Sequence, residues 1–189
     1  MEVEKRQYKG TGTECMLVIP ECYADTNLVN TLLRKTAANH QHCCSKVMSI
    51  MKDKEADNFA VGIIDFDKKR EQNVYLKEFK LLKASEHLEL YVHESRPHYV
   101  IFIKKAIEDF VQSCAAATGT DLKRYGFSGD LKELKDRFKK KTSSKDANIT
   151  RLFKALHEAP EMKRLKEILT YLNENRCAAD RRVLAAMFT

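Results

Sequence analysis

The sequence predicts an α/β protein: a mainly parallel sheet flanked by helices, followed by a C-terminal helical extension. Three observations predict it. The run Phe-Ala-Val-Gly-Ile-Ile-Asp-Phe at 59–66 is apolar at successive positions until Asp65, the pattern of a strand covered on both faces. A second buried run, 99–103, passes directly into a stretch at 105–117 where Ala106, Ile107, Phe110, Val111 and Cys114 recur by threes and fours, one face of a helix. Beyond residue 120 the strand-like runs stop, and apolar residues recur only at helical spacing.

The elements follow in order. Residues 1–13 form a polar N-terminal segment. Residues 15–20 read as a buried strand ended by Pro20, and 27–38 as a helix carrying Leu28 and Leu32, capped by Asp25 or Thr26. Val47, Ile50 and Met51 suggest a short helix at 44–51, and 68–73 an exposed loop. Residues 78–83 and 88–93 read as strands, with Arg96-Pro97 as a turn. Thr118-Gly119-Thr120 stops the helix at 105–117. The extension reads as helices at 130–140, 147–157 and 161–173, with a last short one holding Val183, Leu184 and Met187. The predicted organisation is a polar segment at 1–13, an α/β core at 14–118 and a basic helical extension at 119–189 packed on that core.

A chain of 189 residues fits one domain. Its 43 % hydrophobic and 32 % charged residues are an ordinary globular balance. The apolar runs at 16–19 and 100–103 fall far short of the roughly 20 residues a bilayer span needs. No apolar segment opens the chain, so a cytoplasmic location without membrane contact is expected. The six cysteines form no Cys-x-x-Cys pair, and no disulfide framework is expected. Net charge is +7, and all of the excess lies in residues 121–189, which hold 17 basic and 10 acidic residues. Such a stripe either attracts a phosphate backbone or is the solvated face of lysine-rich helices.

The chemistry-bearing residues are acids at strand ends. Glu21 follows the first strand and Asp25 comes four residues later. Asp65 and Asp67 end the run at 59–66, and Glu108 with Asp109 opens the helix after 99–103. In an open parallel sheet, ligands bind outside the carboxyl ends of the strands. Residues 65 and 67 of an extended chain point the same way, and two such carboxylates call for a cation. Mg2+ or Mn2+ suits hard oxygen ligands, and the chemistry served would be phosphoryl transfer. The plainer alternative makes Asp65 a cap and pairs Asp67 with Lys68, Lys69 or Arg70. Those three cations either hold a phosphate backbone beside the metal or form an exposed loop, and Lys139, Lys140 and Lys141 carry the same two readings. His93 and His98, near the turn at 96–97, read as structural. No serine nucleophile turn and no Gly-rich phosphate loop is present.

Glu21, Asp25, Asp65 and Asp67, in this order and strand context, resemble the Toprim domain. That catalytic fold is shared by topoisomerases, bacterial primases and nucleases of the overcoming-lysogenization-defect type. The resemblance covers about residues 14–112 and is strongest to small stand-alone Toprim-like proteins associated with phage defence. Those proteins often carry stretches like His98-Tyr-Val-Ile-Phe-Ile and Ala106-Ile-Glu-Asp-Phe110. The family has glycine directly after its glutamate, where this chain has Cys22. The resemblance implies divalent-metal-dependent hydrolysis of phosphodiesters in DNA or RNA, with a defence-system protein as a further partner. Asp65, Asp67 and Glu108 would then hold the metal. Glu21 would be the acid–base group, and Asp25 would stand behind the ligands or on a second ion. Two alternatives remain open: a non-catalytic module binding nucleic acid or protein, and a phosphohydrolase of small molecules.

Overall fold

The computed structural model describes residues 17–34, 38, 40–41, 43–66 and 73–189. Five strands form one sheet: β1 (Leu17–Pro20), β2 (Ala60–Asp65), β3 (Phe79–Ala84), β4 (Leu88–His93) and β5 (His98–Ile103), in the order β1-β2-β5-β4-β3. The helices are α1 (Tyr23–Leu33), α2 (Cys44–Ser49), α3 (Ile107–Thr118), α4 (Leu131–Phe138), α5 (Ala147–Ala155), α6 (Pro160–Asn175) and α7 (Arg181–Ala186). β1, β2 and β5 run parallel, whereas β4 and β3 are antiparallel additions. The sheet is therefore evenly mixed rather than mainly parallel. The reason is connection length. Only residues 85–87 separate β3 from β4 and only 94–97 separate β4 from β5. A parallel crossover needs roughly a dozen residues or more.

Residue parity sorts the two faces. Val61 and Ile63 of β2, with Tyr99, Ile101 and Ile103 of β5, join a large buried cluster that includes residues of α1, α3, α4, α5, α6 and α7. Ala60 and Ile64, with Val100 and Phe102, join a smaller cluster with α2 and the wider helical turn Ile50–Lys54. Both faces of β2 are thus covered, as its unbroken apolar run predicts. Gly62 lies on the smaller-cluster face. A Cβ there would stand 3.0 Å from Met51 Sδ and 3.1 Å from Val47 Cγ1, so glycine sets how closely this helical segment approaches the sheet. Gly62→Ala is expected to cost about 1–3 kcal/mol through overpacking, read by urea unfolding.

α1 begins at Tyr23, earlier than the periodicity at 27–38 implies, and Asp25 lies inside its first turn. Neither Asp25 nor Thr26 is the cap. Cys22 caps instead: its Sγ accepts from the Asp25 amide at 3.3 Å while the Asp25 carboxylate accepts from the Cys22 amide at 3.2 Å. This is a reciprocal capping box with a thiol in the place a hydroxyl usually takes. The helix closes at Arg34, which is left-handed at φ 52°.

The extension shares the large core. Phe127, Phe138 and Phe153 are buried and edge-packed, with ring centroids about 6 Å apart. The main polar joint is Asn27 on α1, 2 % exposed. Its Nδ2 donates to the carbonyls of Ser143 (2.8 Å) and Asp146 (3.2 Å). Its Oδ1 accepts from Thr31 (3.1 Å) and Thr150 (2.9 Å). Both donors and both acceptor positions of the amide are filled, which fixes the turn Lys141–Lys145 and the start of α5 against α1.

His93 and His98 are buried structural groups near the end of the sheet where β5 begins. Nε2 of His98 faces the carbonyls of Glu55 (2.9 Å) and Asn58 (3.0 Å) and so carries the proton; Nδ1 accepts from the Tyr75 hydroxyl at 2.6 Å. Nδ1 of His93 accepts from the amides of Ser95 and Arg96, each at 3.1 Å, and Nε2 donates to Glu78. Burial holds both rings below the ordinary histidine range. The unfolded chain therefore takes up protons first as pH falls, so these two groups stabilise the fold fully above about pH 6.5 and progressively less below it. His98→Leu is expected to flatten that acid-side loss in melting curves between pH 7 and 5, while lowering stability at pH 7.5 by orphaning two carbonyls.

Candidate metal centre

β1, β2 and β5 are adjacent and parallel, so their carboxyl ends open on one edge of the sheet. The chain leaving β1 carries Glu21, whose amide continues the ladder to Ile63 O at 2.9 Å, and then enters α1 with Asp25. β2 ends at Asp65, which shares parity with Val61 and Ile63 and so turns toward α1 and α3. β5 passes through Lys105, held left-handed at φ 65°, into α3, whose first turn bears Glu108. Of the acids singled out by the sequence, Asp25 and Asp65 meet in one cluster of ligand atoms, Glu21 bonds the Asp65 amide, and Glu108 acts on both aspartates through its charge. Asp67 lies outside the described residues, as do Lys68, Lys69 and Arg70.

The centre is tight. Ligand atoms of Cys22, Asp25 and Asp65 all lie within 4.8 Å of one another. Asp25 is fully buried, and its Oδ1 has no hydrogen-bond partner; the same holds for the buried Oδ1 of Asp65. Two orphaned carboxylate oxygens this close together are costly to keep as anions. Burial pushes the Asp25 carboxyl up to about 7, against the Cys22 hydrogen bonds and with help from the charges of Glu21 and Glu108. Asp65 is also pushed well above the usual carboxylate range, first by burial and then by the charges of Asp25, Glu21 and Glu108. The backbone amide of Ile107, at the start of α3, opposes that rise.

Glu21 and Glu108 frame this pair. Oε1 of Glu21 accepts from the Cys44 amide at 3.0 Å and Oε2 from the Asp65 amide at 3.2 Å, so Glu21 ties β1, β2 and the start of α2 together. Glu108 is 5 % exposed. Burial raises its carboxyl, while its own amide and the charges of Lys135 on α4 and Lys139 at the end of that helix pull it back. Those two lysines are four residues apart and share one side of α4. Lys139 belongs to the basic stretch that stands out in the sequence. Lys135 does not, although its i,i+4 spacing to Lys139 is visible there. Lys140 and Lys141 are exposed beyond the end of α4.

Cys22 is the other member that the sequence leaves unassigned. Burial first, then the charges of Asp25 and Asp65, push its thiol well above the ordinary range. It therefore stands in the cluster as a neutral S–H and a cap. The donors that suit a hard divalent cation are the carboxylates. The cluster can hold such a cation, and its two unpartnered buried oxygens are the observation that fits one.

Comparison with family models, with curated proteins and with solved structures finds no match to this chain. Among the described residues, no helix is long and apolar enough to cross a membrane.

Proposed function

We propose that this protein hydrolyses phosphodiester bonds of nucleic acid with a divalent metal held at a Toprim-like acidic centre. The observation that carries the reading is the Asp25–Asp65 pair: a buried and a half-buried carboxylate, each with a buried oxygen lacking any protein partner, beside the carboxyl ends of adjacent parallel strands. Asp25 and Asp65 would hold Mg2+ or Mn2+, with Glu108 beside them. When bound, such a cation neutralises charge on a phosphate and makes water a better nucleophile. Glu21 keeps Asp65 in place through the Asp65 amide. Lys135 and Lys139, whose charges act on Glu108, would meet substrate phosphates arriving at the same edge. Lys140 and Lys141 extend that basic surface.

One observation favours the non-catalytic alternative. Glu21, the acid–base group implied by the resemblance, has both carboxylate oxygens engaged by backbone amides. The test is cleavage of supercoiled, linear and single-stranded DNA and of RNA, in Mg2+ or Mn2+ beside EDTA, with Asp65→Asn as control. Metal-dependent cleavage reduced at least about 100-fold in the variant is expected. Binding without cleavage under every metal condition would replace the catalytic reading with the binding one.

A further inference from the structure

A cavity of about 730 Å³ lies between α1, the turn Lys141–Lys145, α5 and α6, away from the acidic centre. That size lies within the roughly 300–1,000 Å³ typical of small-ligand sites. Its charge is one-sided. Arg34, Lys154 and Lys166 line it together with His157, and no carboxylate is among the described lining residues. In a chain with 34 basic and 27 acidic residues, a charged lining without an acid departs from the overall mixture.

The three long cations make no ion pair with any described residue. Glu158, next to His157 in the chain, is held by Lys163 and by His157, and the charge of Lys166 also acts on it. The wall behind the cations is rigid, because the saturated Asn27 amide bolts α1 to the turn and to Thr150 of α5. Buried Leu32 and Phe153 give the cavity an apolar floor. Fixed walls, a floor that accepts a ring or sugar, and three unpaired cations are what an organic phosphate requires.

We infer that this cavity is a second site, which binds a phosphate-bearing ligand through Arg34, Lys154 and Lys166. It is separate from the acidic centre. At about 100° per residue, Asn30, Thr31 and Arg34 lie roughly 120–180° around α1 from Asp25. A ligand in the cavity therefore sits on the flank of α1 opposite the carboxylates. A free nucleotide and a nucleic-acid strand both present the phosphate such a cavity recognises, and the test separates them.

The full chain is titrated in EDTA with pyrophosphate, with ATP and with a fluorescently labelled single-stranded oligonucleotide. Wild type is compared with Arg34→Ala/Lys154→Ala/Lys166→Ala and with Lys77→Ala/Lys83→Ala, two exposed lysines outside both sites. The three cavity residues are exposed, so the triple variant is expected to melt as wild type does. Pyrophosphate and ATP are expected to bind, with affinity at least tenfold weaker in the triple variant and unchanged in the Lys77/Lys83 variant. Loss of oligonucleotide binding alone in the triple variant would support the site with a strand as its ligand. Equal affinity of wild type and triple variant for all three probes, or no binding of any, would overturn it. EDTA keeps the outcome independent of whether the acidic centre binds metal.

Discussion

Asp25→Asn is expected to stabilise the metal-free protein at pH 8 by roughly 2–4 kcal/mol. The Asp25 carboxyl titrates at about 7 when folded, against 3.8 for the free group, and each tenfold change in proton affinity corresponds to about 1.4 kcal/mol. The sign follows from which state binds the proton. A raised folded value means that the native state keeps its proton longer, so the stabilisation is complete below about pH 3.8 and lost as pH rises to about 7. Above pH 7 the native protein bears the full cost of the buried anion. Asparagine removes that cost, can still accept from the Cys22 amide, and can donate to Asp65. The gain should therefore be present in urea unfolding at pH 8 in EDTA and vanish at pH 4. An unchanged or lower stability at pH 8 would mean that Asp25 is not a strained anion. With Mn2+ the ranking should reverse, because only wild type gains the cation.

Asn27→Ala is expected to lower stability by roughly 3–5 kcal/mol. The variant deletes four hydrogen bonds at a site 2 % exposed, and each buried polar group left without a partner costs about 1–3 kcal/mol. Ser143 O and the hydroxyls of Thr31 and Thr150 each lose this partner; Asp146 O retains the Thr150 amide, Ser143 O a long bond from the Asp146 amide, and the Thr150 hydroxyl its bond to Asp146 O. The loss should appear as a lower urea midpoint with the slope preserved, since the extension and the sheet share one buried cluster. A cost below about 1 kcal/mol would show that the extension does not depend on this joint.

Much of this arrangement can be read from the amino-acid order. Period-two and period-3.6 apolar patterns are direct consequences of burial, so β2, β5 and α3 stand out, and with them Asp65 and Glu108 at their ends. Glu21 and Asp25 follow from Pro20 ending β1. The start of α1 escapes such a reading because its cap is the thiol of Cys22, which no propensity rule marks. The direction of β3 and β4 escapes it because alternation says nothing about pairing partners, whereas the short connections at 85–87 and 94–97 decide it. Asn27 as a joint between residues about 120 positions apart and the cation-lined cavity are products of tertiary packing. A polar helix position in sequence looks the same whether it faces water or a neighbouring turn. The i,i+4 pair Lys135–Lys139 is visible as a pattern, but its proximity to Glu108 depends on how α4 docks on α3.

The most direct measurement is a calorimetric titration of Mn2+ into metal-free wild type and into Asp65→Asn at pH 8. Saturable binding to wild type, weakened at least tenfold by the substitution and weaker at pH 6 where protons compete for Asp25, is the predicted result. Equal weak binding by both proteins, or none by either, would contradict a cation site built on Asp25 and Asp65.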